Sequence, residues 1–162
     1  GRKQSSLRTK IINISSIGGA IGLPWEFGYH ASKFAVNGLS QSLRIELAPL
    51  GIDVTAIMPG AIKTPFIDKS KEGKHHLLNV VNSRSNYYET NLNNFEQISV
   101  TAYKTASTPE KVANTVVSQV KKSRSSARVR VGADAKFLNF LAWLLPISWF
   151  EGFVASLMVK KV

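Results

Sequence analysis

Cysteine is absent from the sequence, which excludes disulfide bonds and thiolate metal sites. Its absence also favours a reducing compartment, so we expect an intracellular protein that is cytoplasmic or membrane-associated. The chain begins at Gly1 with a polar stretch, and no apolar signal segment precedes the first strand-like run. We interpret this start as an interior position in a longer protein.

Acidic residues are scarce, with 10 Asp and Glu against 21 Lys and Arg, so the net charge is +11. Such a charge favours contact with nucleic acid or with an acidic membrane surface. The basic residues form only small clusters, at 2–10, 69–74 and 121–130, and no aromatic residues alternate with them as they do in an RNA-stacking surface. We therefore predict no specific nucleic-acid binding and keep a membrane surface as an open alternative.

The 162 residues are 44% hydrophobic, which is enough for a packed core. The run KIINIS predicts a buried parallel strand, the segment from about 27 to 49 predicts a helix, and IDVTAIMPG predicts a second strand. The apolar residues of that helix stand close to helical spacing; they are Phe34, Leu39, Leu43 and Leu47. A strand, a helix and a strand with short connections form a βαβ unit, so the predicted class is α/β with a parallel sheet.

Residues 66–108 are polar and show no clear periodicity, although apolar and aromatic residues are inserted among them. A helix is predicted after Thr108, with that residue as N-cap and Pro109 at the first position. Its apolar face is expected to consist of Val112, Val116, Val117 and Val120. The run ARVRVG alternates as a strand does, and residues 134–162 predict two apolar helices broken at Pro146.

The apolar tail, residues 134–162, has no uninterrupted apolar run long enough for a transmembrane helix, because Asn139, Pro146 and Glu151 break it. Two tryptophans and the terminal lysines suit a helix that lies in a membrane interface. Packing against the body of the protein or against a second subunit of a homo-oligomer is an equal alternative.

Three polar side chains near the first strand carry the chemistry. Tyr29 and Lys33 are four residues apart, so on one helix they share a face. An ammonium near a phenol favours phenolate and lowers the phenol pKa. Ser16 follows the strand, where ligands of open parallel sheets bind. Each feature has a plainer explanation, namely a strand end or a half-exposed helix pair, but the joint spacing favours a catalytic site.

These residues resemble the catalytic half of a short-chain dehydrogenase/reductase. The resemblance rests on Ser16, on Tyr29 in YHASK thirteen residues later, and on PGAIKT after the next strand. The segment GLP…YHASKFAV is most similar to the 17β-hydroxysteroid and retinol dehydrogenase branch. The resemblance implies a Rossmann-like doubly wound sheet and an NAD- or NADP-dependent oxidoreductase that interconverts an alcohol and a ketone or aldehyde.

The resemblance also implies a role for each matching residue. Tyr29 would be the general acid/base, Lys33 would lower its pKa and bind the nicotinamide ribose, and Ser16 would orient the substrate oxygen. Pro59, Gly60 and Ile62 would form the turn that holds the nicotinamide ring, and Thr64 would reach the carboxamide or a phosphate. The histidines His30, His75 and His76 lack ligand partners at metal-site spacing, so we expect them to be solvated and predict no metal site.

No glycine-rich Gly-x-x-x-Gly-x-Gly phosphate turn occurs anywhere in the sequence. We therefore expect residues 1–162 to be the carboxyl-terminal part of such an enzyme and to be inactive alone. An inactive module that binds a membrane surface or a partner is the alternative. The family places its substrate lid at residues 66–108. The lid residues expected to line an apolar cleft for a lipophilic substrate are Leu77, Leu78, Tyr87, Tyr88 and Phe95.

Overall fold

The fold is a parallel sheet with helices packed against it, seen in a computed structural model that describes residues 8–65 and 86–161. Within those residues three strands form the sheet, β1 (Lys10–Ile14), β2 (Asp53–Pro59) and β3 (Arg128–Val131), in the order β1-β2-β3. Both strand pairs are parallel. The predicted α/β class is therefore confirmed.

The helices of the described ranges follow the strands in the order expected for βαβ units. They are α1 (Phe27–Leu47), α2 (Asn86–Lys104), α3 (Pro109–Lys121), α4 (Ala133–Leu144) and α5 (Ile147–Met158). The break between α4 and α5 falls at Pro146, as predicted, because proline cannot continue a helical hydrogen-bond ladder. α1 gives way to a 3-10 turn and then to Gly51, which adopts the left-handed φ of 73° that terminates helices.

β2 is the centre of the sheet, and all seven of its residues are buried. In the register Ile14 pairs with Ile57 and Pro59 pairs with Val131, so the carboxyl ends of the strands lie at one edge of the sheet. β1 pairs only with β2 in the described part of the chain, and its residues are half-buried or exposed. The parallel strand predicted at KIINIS is therefore confirmed, but it is less buried than predicted, because among the described residues β1 has a neighbour on one side only.

The buried face of α1 is polar, which differs from the predicted apolar stripe. Phe34 and Leu39 are 46% and 55% exposed, whereas His30, Asn37 and Ser40 are buried. Asn37 Nδ2 donates to the Gly19 carbonyl at 2.7 Å. His30 and Asn37 on α1 therefore satisfy backbone polar groups of the segment that follows β1, and helical spacing of apolar residues could not predict this.

α2 lies in the segment 66–108, for which the sequence shows no clear periodicity; residues 66–85 fall outside the described ranges. It is 19 residues long and rich in Asn and Thr, which are weak helix formers. Two hydrogen bonds of Asn91 hold α2 in place. The Asn91 Oδ1 accepts from the Lys160 N–H at 2.6 Å, and its Nδ2 donates to the Lys160 carbonyl at 3.1 Å. Long-range contacts with the end of the chain stabilise this helix, and they leave no periodic signal in the sequence.

The apolar core joins the glycine-rich segment after β1 to α2 and to the two last helices. Its buried members are Ile17, Ile21, Phe95, Ala135, Phe150, Val154 and Met158. The valine face predicted for α3 is only partly used, because Val112 and Val116 are half-buried but Val117 and Val120 are each 48% exposed. The buried residue of α3 is Gln119, whose side chain accepts from the Ser126 N–H at 3.0 Å.

Candidate active site

Ser16 stands at the carboxyl edge of the sheet, two residues after the end of β1. It has an extended backbone with φ −161° and caps the 3-10 turn Ile17–Gly19, where its Oγ accepts from the Gly18 N–H at 3.0 Å. The same buried hydroxyl lies 3.4 Å from the Pro59 carbonyl, to which it can donate. Ser16 therefore bridges the ends of β1 and β2. The neighbouring Ser15 is also buried, and its hydroxyl donates to the Lys33 carbonyl at 3.2 Å.

The structure brings Ser16, Tyr29 and Lys33 together. Tyr29 is in the first turn of α1, half-buried, and its phenol is hydrogen-bonded to the Ser16 side chain. Lys33 lies one turn later, with its Nζ 5.7 Å from the centroid of the Tyr29 ring. The Lys33 ammonium also donates to the carbonyl of Ile14, the last residue of β1, at 3.4 Å. The predicted trio thus meets where β1 ends.

The pKa of Tyr29 is raised above its usual value of 10.0, mainly by burial. The negative charge of Glu26 raises this pKa further, whereas the hydrogen bond from Ser16 lowers it. The sequence predicted a pKa lowered by Lys33, and that prediction is wrong for this structure. The reason is geometric, since the Lys33 ammonium lies over the ring and donates to a backbone carbonyl.

The predicted nicotinamide turn begins at Pro59, directly beside Ser16. The Gly60 N–H donates to the Val131 carbonyl at 2.9 Å, which ties the turn to β3. Ile62 pairs in parallel with Ser107, and Thr64 is half-buried farther along. The first residues of the turn therefore adjoin Ser16, whereas Ile62 pairs with Ser107 near the start of α3.

His30 is buried at 6% exposure, so the prediction that it is solvated is wrong. Its Nδ1 lies 2.8 Å from the Gly18 carbonyl, and its Nε2 accepts from the Leu23 N–H at 3.1 Å. The ring is thus a neutral tautomer with the proton on Nδ1, and it fastens the segment after Ser16 to α1. Gly18 leaves room for this contact, because a Cβ there would lie 2.9 Å from His30 Nδ1.

An aromatic group joins the segment between Ser16 and α1 to the start of α2. Tyr87 and Tyr88 make edge contacts with Trp25, at centroid distances of 6.0 and 6.2 Å. Trp25 has a φ of 72°, which is strained for a bulky side chain, and its buried Nε1 has no hydrogen-bond partner among the described residues. Tyr87 and Tyr88 are 40% and 50% exposed, so they remain able to line a cleft.

Phe95 does not line that cleft, because it is buried in the apolar core, and here the predicted lid role is wrong. Leu77 and Leu78, also predicted to line it, lie outside the described residues. His75 and His76 do so as well. Within the described residues no group of three or more His, Cys, Asp or Glu could hold a metal ion.

Comparisons with known proteins give a consistent result. Residues 4–75 match the family model for short chain dehydrogenases. A 3-ketodihydrosphingosine reductase of Bacteroides thetaiotaomicron is 52% identical over 61 residues, which are 38% of this chain and 23% of that protein. A 3-alpha-(or 20-beta)-hydroxysteroid dehydrogenase of Mycobacterium bovis is 54% identical over 61 residues, 38% of this chain and 24% of that protein.

The solved structures extend the likeness over nearly the whole chain. A short chain dehydrogenase from Burkholderia cenocepacia, crystallised in complex with NADP, matches with a TM-score of 0.61 at 19% identity and covers 96% of this chain. The Rossmann-like fold expected from the sequence is therefore confirmed. The match covers 50% of the Burkholderia protein, so this chain spans about half the length of that structure.

Proposed function

We propose, on the premise of short-chain dehydrogenase/reductase membership that these matches support, that the complete protein containing this chain is an NAD- or NADP-dependent oxidoreductase. It interconverts an alcohol and a ketone or aldehyde. One observation carries the proposal: Ser16, Tyr29, Lys33 and the turn that begins at Pro59 meet at the carboxyl edge of a parallel sheet, which is where such sheets bind nucleotides and substrates.

Tyr29 carries the proton in this proposal. Because its pKa is raised, the phenol is protonated at neutral pH and can donate to a carbonyl oxygen during reduction. The Ser16 hydroxyl, hydrogen-bonded to that phenol, holds the same oxygen in line with it. The bound nicotinamide supplies the hydride. The chain's own contribution is thus to orient the oxygen and to exchange its proton.

The described residues fit the nicotinamide end of the cofactor. Lys33 has three donors, and the structure gives one of them a 3.4 Å contact with Ile14, so its ammonium can also bind ribose hydroxyls. The turn formed by Pro59, Gly60 and Ile62 would lie against the ring, and Thr64 would reach the carboxamide or a phosphate. We propose that the phosphate-binding half belongs to a part of the protein outside this sequence, because the sequence has no glycine-rich phosphate turn.

A lipophilic substrate, such as a steroid, retinoid or fatty-acyl compound, fits the aromatic wall made by Trp25, Tyr87 and Tyr88. Two of the relatives are named for a hydroxysteroid and for ketodihydrosphingosine, and both names support this choice. A panel of ketones tests it: preference for small sugars or charged acids over apolar ketones would contradict it.

The decisive test uses the complete protein with NADH or NADPH and that panel. Tyr29→Phe should lower kcat by about a hundredfold or more while the cofactor Kd stays unchanged, because only the proton carrier is removed. Tyr103→Phe is the matched control, since this half-buried tyrosine lies near the end of α2. Near-normal turnover of Tyr29→Phe would exclude Tyr29 from the reaction.

The isolated 162-residue chain should neither bind the nucleotide nor turn over substrate, because the backbone donors for the phosphates are missing from it. A fluorescence titration with NADH and NADPH checks this expectation. Saturable binding of either nucleotide at micromolar concentration would show that the catalytic half is self-sufficient.

A second candidate function is attachment to a membrane surface or to a partner through the tail. None of the helices in the described ranges combines the length and apolar character needed to cross a bilayer. The outer faces of α4 and α5 are nevertheless apolar. Their large exposed residues are Phe137, Phe140, Trp143, Leu144, Ile147, Trp149, Phe153 and Leu157. This exposure favours a surface-binding role that is compatible with the enzymatic one.

A further inference from the structure

The turn after β2 is held by a carboxylate that the sequence did not single out. Asp134, in the first turn of α4, accepts from the Ala61 N–H through its Oδ2 at 2.6 Å. A distance of this size is typical of a charge-assisted hydrogen bond. The bond joins residues 73 positions apart in the sequence. It therefore links the proposed nicotinamide turn directly to the first helix of the tail.

Two glycines leave room for this carboxylate. A Cβ added to Gly60 would overlap the Asp134 side chain, and so would a Cβ added to Gly132. Gly132 also has a φ of 106°, a conformation that residues with side chains rarely adopt. The turn, the end of β3 and the start of α4 are thus shaped around one carboxylate.

A second contact fixes the other side of the turn. The Lys63 N–H donates to the Ser107 carbonyl at 2.9 Å, and the Ser107 N–H donates to the Ala61 carbonyl at 3.0 Å. Ala61 is therefore held through its carbonyl by Ser107 and through its N–H by Asp134. Removing the carboxylate would release the end of the turn that adjoins Gly60 and Ser16.

We propose that Asp134 is a positioning residue that holds the turn at Gly60 and Ala61 in the conformation that binds the nicotinamide. This inference rests on the proposed function. The Asp134 side chain acts by accepting this hydrogen bond, so Asn, which keeps a neutral acceptor of the same length, should retain most of the effect. The geometry also predicts that Gly60→Ala has the same effect as loss of the carboxylate, because the new methyl group displaces it.

The test measures the Kd of NADH and NADPH for the complete protein. We expect Asp134→Ala to raise the Kd about tenfold, since loss of a charge-assisted hydrogen bond has an effect of that order, and Asp134→Asn to stay within about threefold of the wild type. Gly60→Ala combined with Asp134→Ala should be no worse than Asp134→Ala alone, because both remove one contact. Glu110→Ala is the matched control, since Glu110 is an exposed acid in the first turn of α3.

Hydrogen exchange at the Ala61 amide gives a readout that does not depend on the nucleotide. Exchange should accelerate about tenfold in Asp134→Ala and stay unchanged in Asp134→Asn and Glu110→Ala. If the wild type binds neither nucleotide, the proposed function fails and the positioning role fails with it. If the wild type binds and Asp134→Ala binds equally well, or if Ala61 exchange is unchanged, the inference alone is overturned.

Discussion

At the scale of single residues, the raised pKa of Tyr29 sets the protonation state in which its side chain would enter the proposed reaction. Burial is the main cause, Glu26 adds to it, and Ser16 opposes it. Reduction needs the protonated phenol, which predominates at neutral pH, whereas oxidation needs the phenolate. In the proposed reaction Tyr29 would therefore act mainly as a proton donor near pH 7.

We predict that kcat/KM for alcohol oxidation rises with pH through the alkaline range, by up to about tenfold per pH unit, while carbonyl reduction is flat between pH 6 and 8. Glu26→Gln should move the oxidation profile to lower pH, because it removes a charge that raises the Tyr29 pKa. Ser16→Ala should move it to higher pH. Profiles in the complete protein that shift in the same direction for both variants would contradict this electrostatic account.

Asp53 at the start of β2 gives a residue-scale prediction for stability. Burial alone would raise its pKa, but the Ser125 N–H and the charges of Arg8, Arg44 and Lys10 outweigh burial and lower it. A carboxyl whose folded pKa lies below its unfolded value of about 4 contributes stability above that value. This stability is lost as the pH falls through the folded pKa.

Asp53→Asn should therefore lower the free energy of unfolding at pH 7 by about 2 kcal/mol. Breaking a fully buried ion pair costs about 3–5 kcal/mol. The expected loss is smaller here because the Arg8 side chain is 30% exposed. The difference between variant and wild type should shrink below pH 4. Urea unfolding of the complete protein and of the variant at pH 7 and pH 3 measures the loss of stability at each pH. An equal loss at the two pH values would contradict the assignment to ionisation.

At the scale of elements, the segment from Ser16 to α1 depends on close contacts with two side chains of that helix. A Cβ at Gly18 would lie 2.9 Å from His30 Nδ1 and 3.1 Å from the Tyr29 ring. Gly22, in the same segment, has no atom within 4 Å of an added Cβ. The two glycines thus form a matched pair for substitution.

Gly18→Ala should destabilise the protein by about 1–3 kcal/mol, as overpacking does, and should lower kcat because the new methyl group displaces Tyr29 or the His30 contact. Gly22→Ala should leave the stability and kcat unchanged. Thermal unfolding and steady-state kinetics of the complete protein provide the measurements. Equal behaviour of the two variants would show that the Gly18 contact is dispensable.

The sequence predicted the elements whose signals are local. β1, α1, β2 and the break at Pro146 follow from β-branched runs, helix terminators and proline. The proximity of Ser16, Tyr29 and Lys33 could be predicted because their spacing on one strand end and one helix determines where they lie; their catalytic role stays a prediction.

The missed features depend on contacts between distant segments. α2 is stabilised by hydrogen bonds of Asn91 with Lys160, 69 residues away. Asp134 was missed for the same reason, since its partner Ala61 is 73 residues away. The burial of His30 was missed because it depends on backbone groups of the segment between Gly18 and Leu23, which carry no side-chain signal.

At the scale of the whole molecule, the tail, residues 134–162, has an apolar outer face, and the chain as a whole is strongly basic. Trp143 and Trp149 are 77% and 69% exposed, and Lys160 and Lys161 follow α5 as exposed residues. Tryptophan is favoured at membrane interfaces, and lysine is attracted to anionic lipid. The net charge of +11 adds a general attraction to such surfaces.

We predict that Trp143→Ser combined with Trp149→Ser weakens binding of the complete protein to vesicles of anionic phospholipid by at least about tenfold, because two large apolar anchors are lost. Val117→Ser combined with Val120→Ser is the matched control, since these α3 residues are each 48% exposed and lie outside the tail. High salt should weaken the wild-type binding, because the lysines contribute through a screened attraction. Sedimentation should show the same oligomeric state for both variants. A change of that state by the tryptophan variant, without any change in vesicle binding, would instead identify the tail as a contact between subunits.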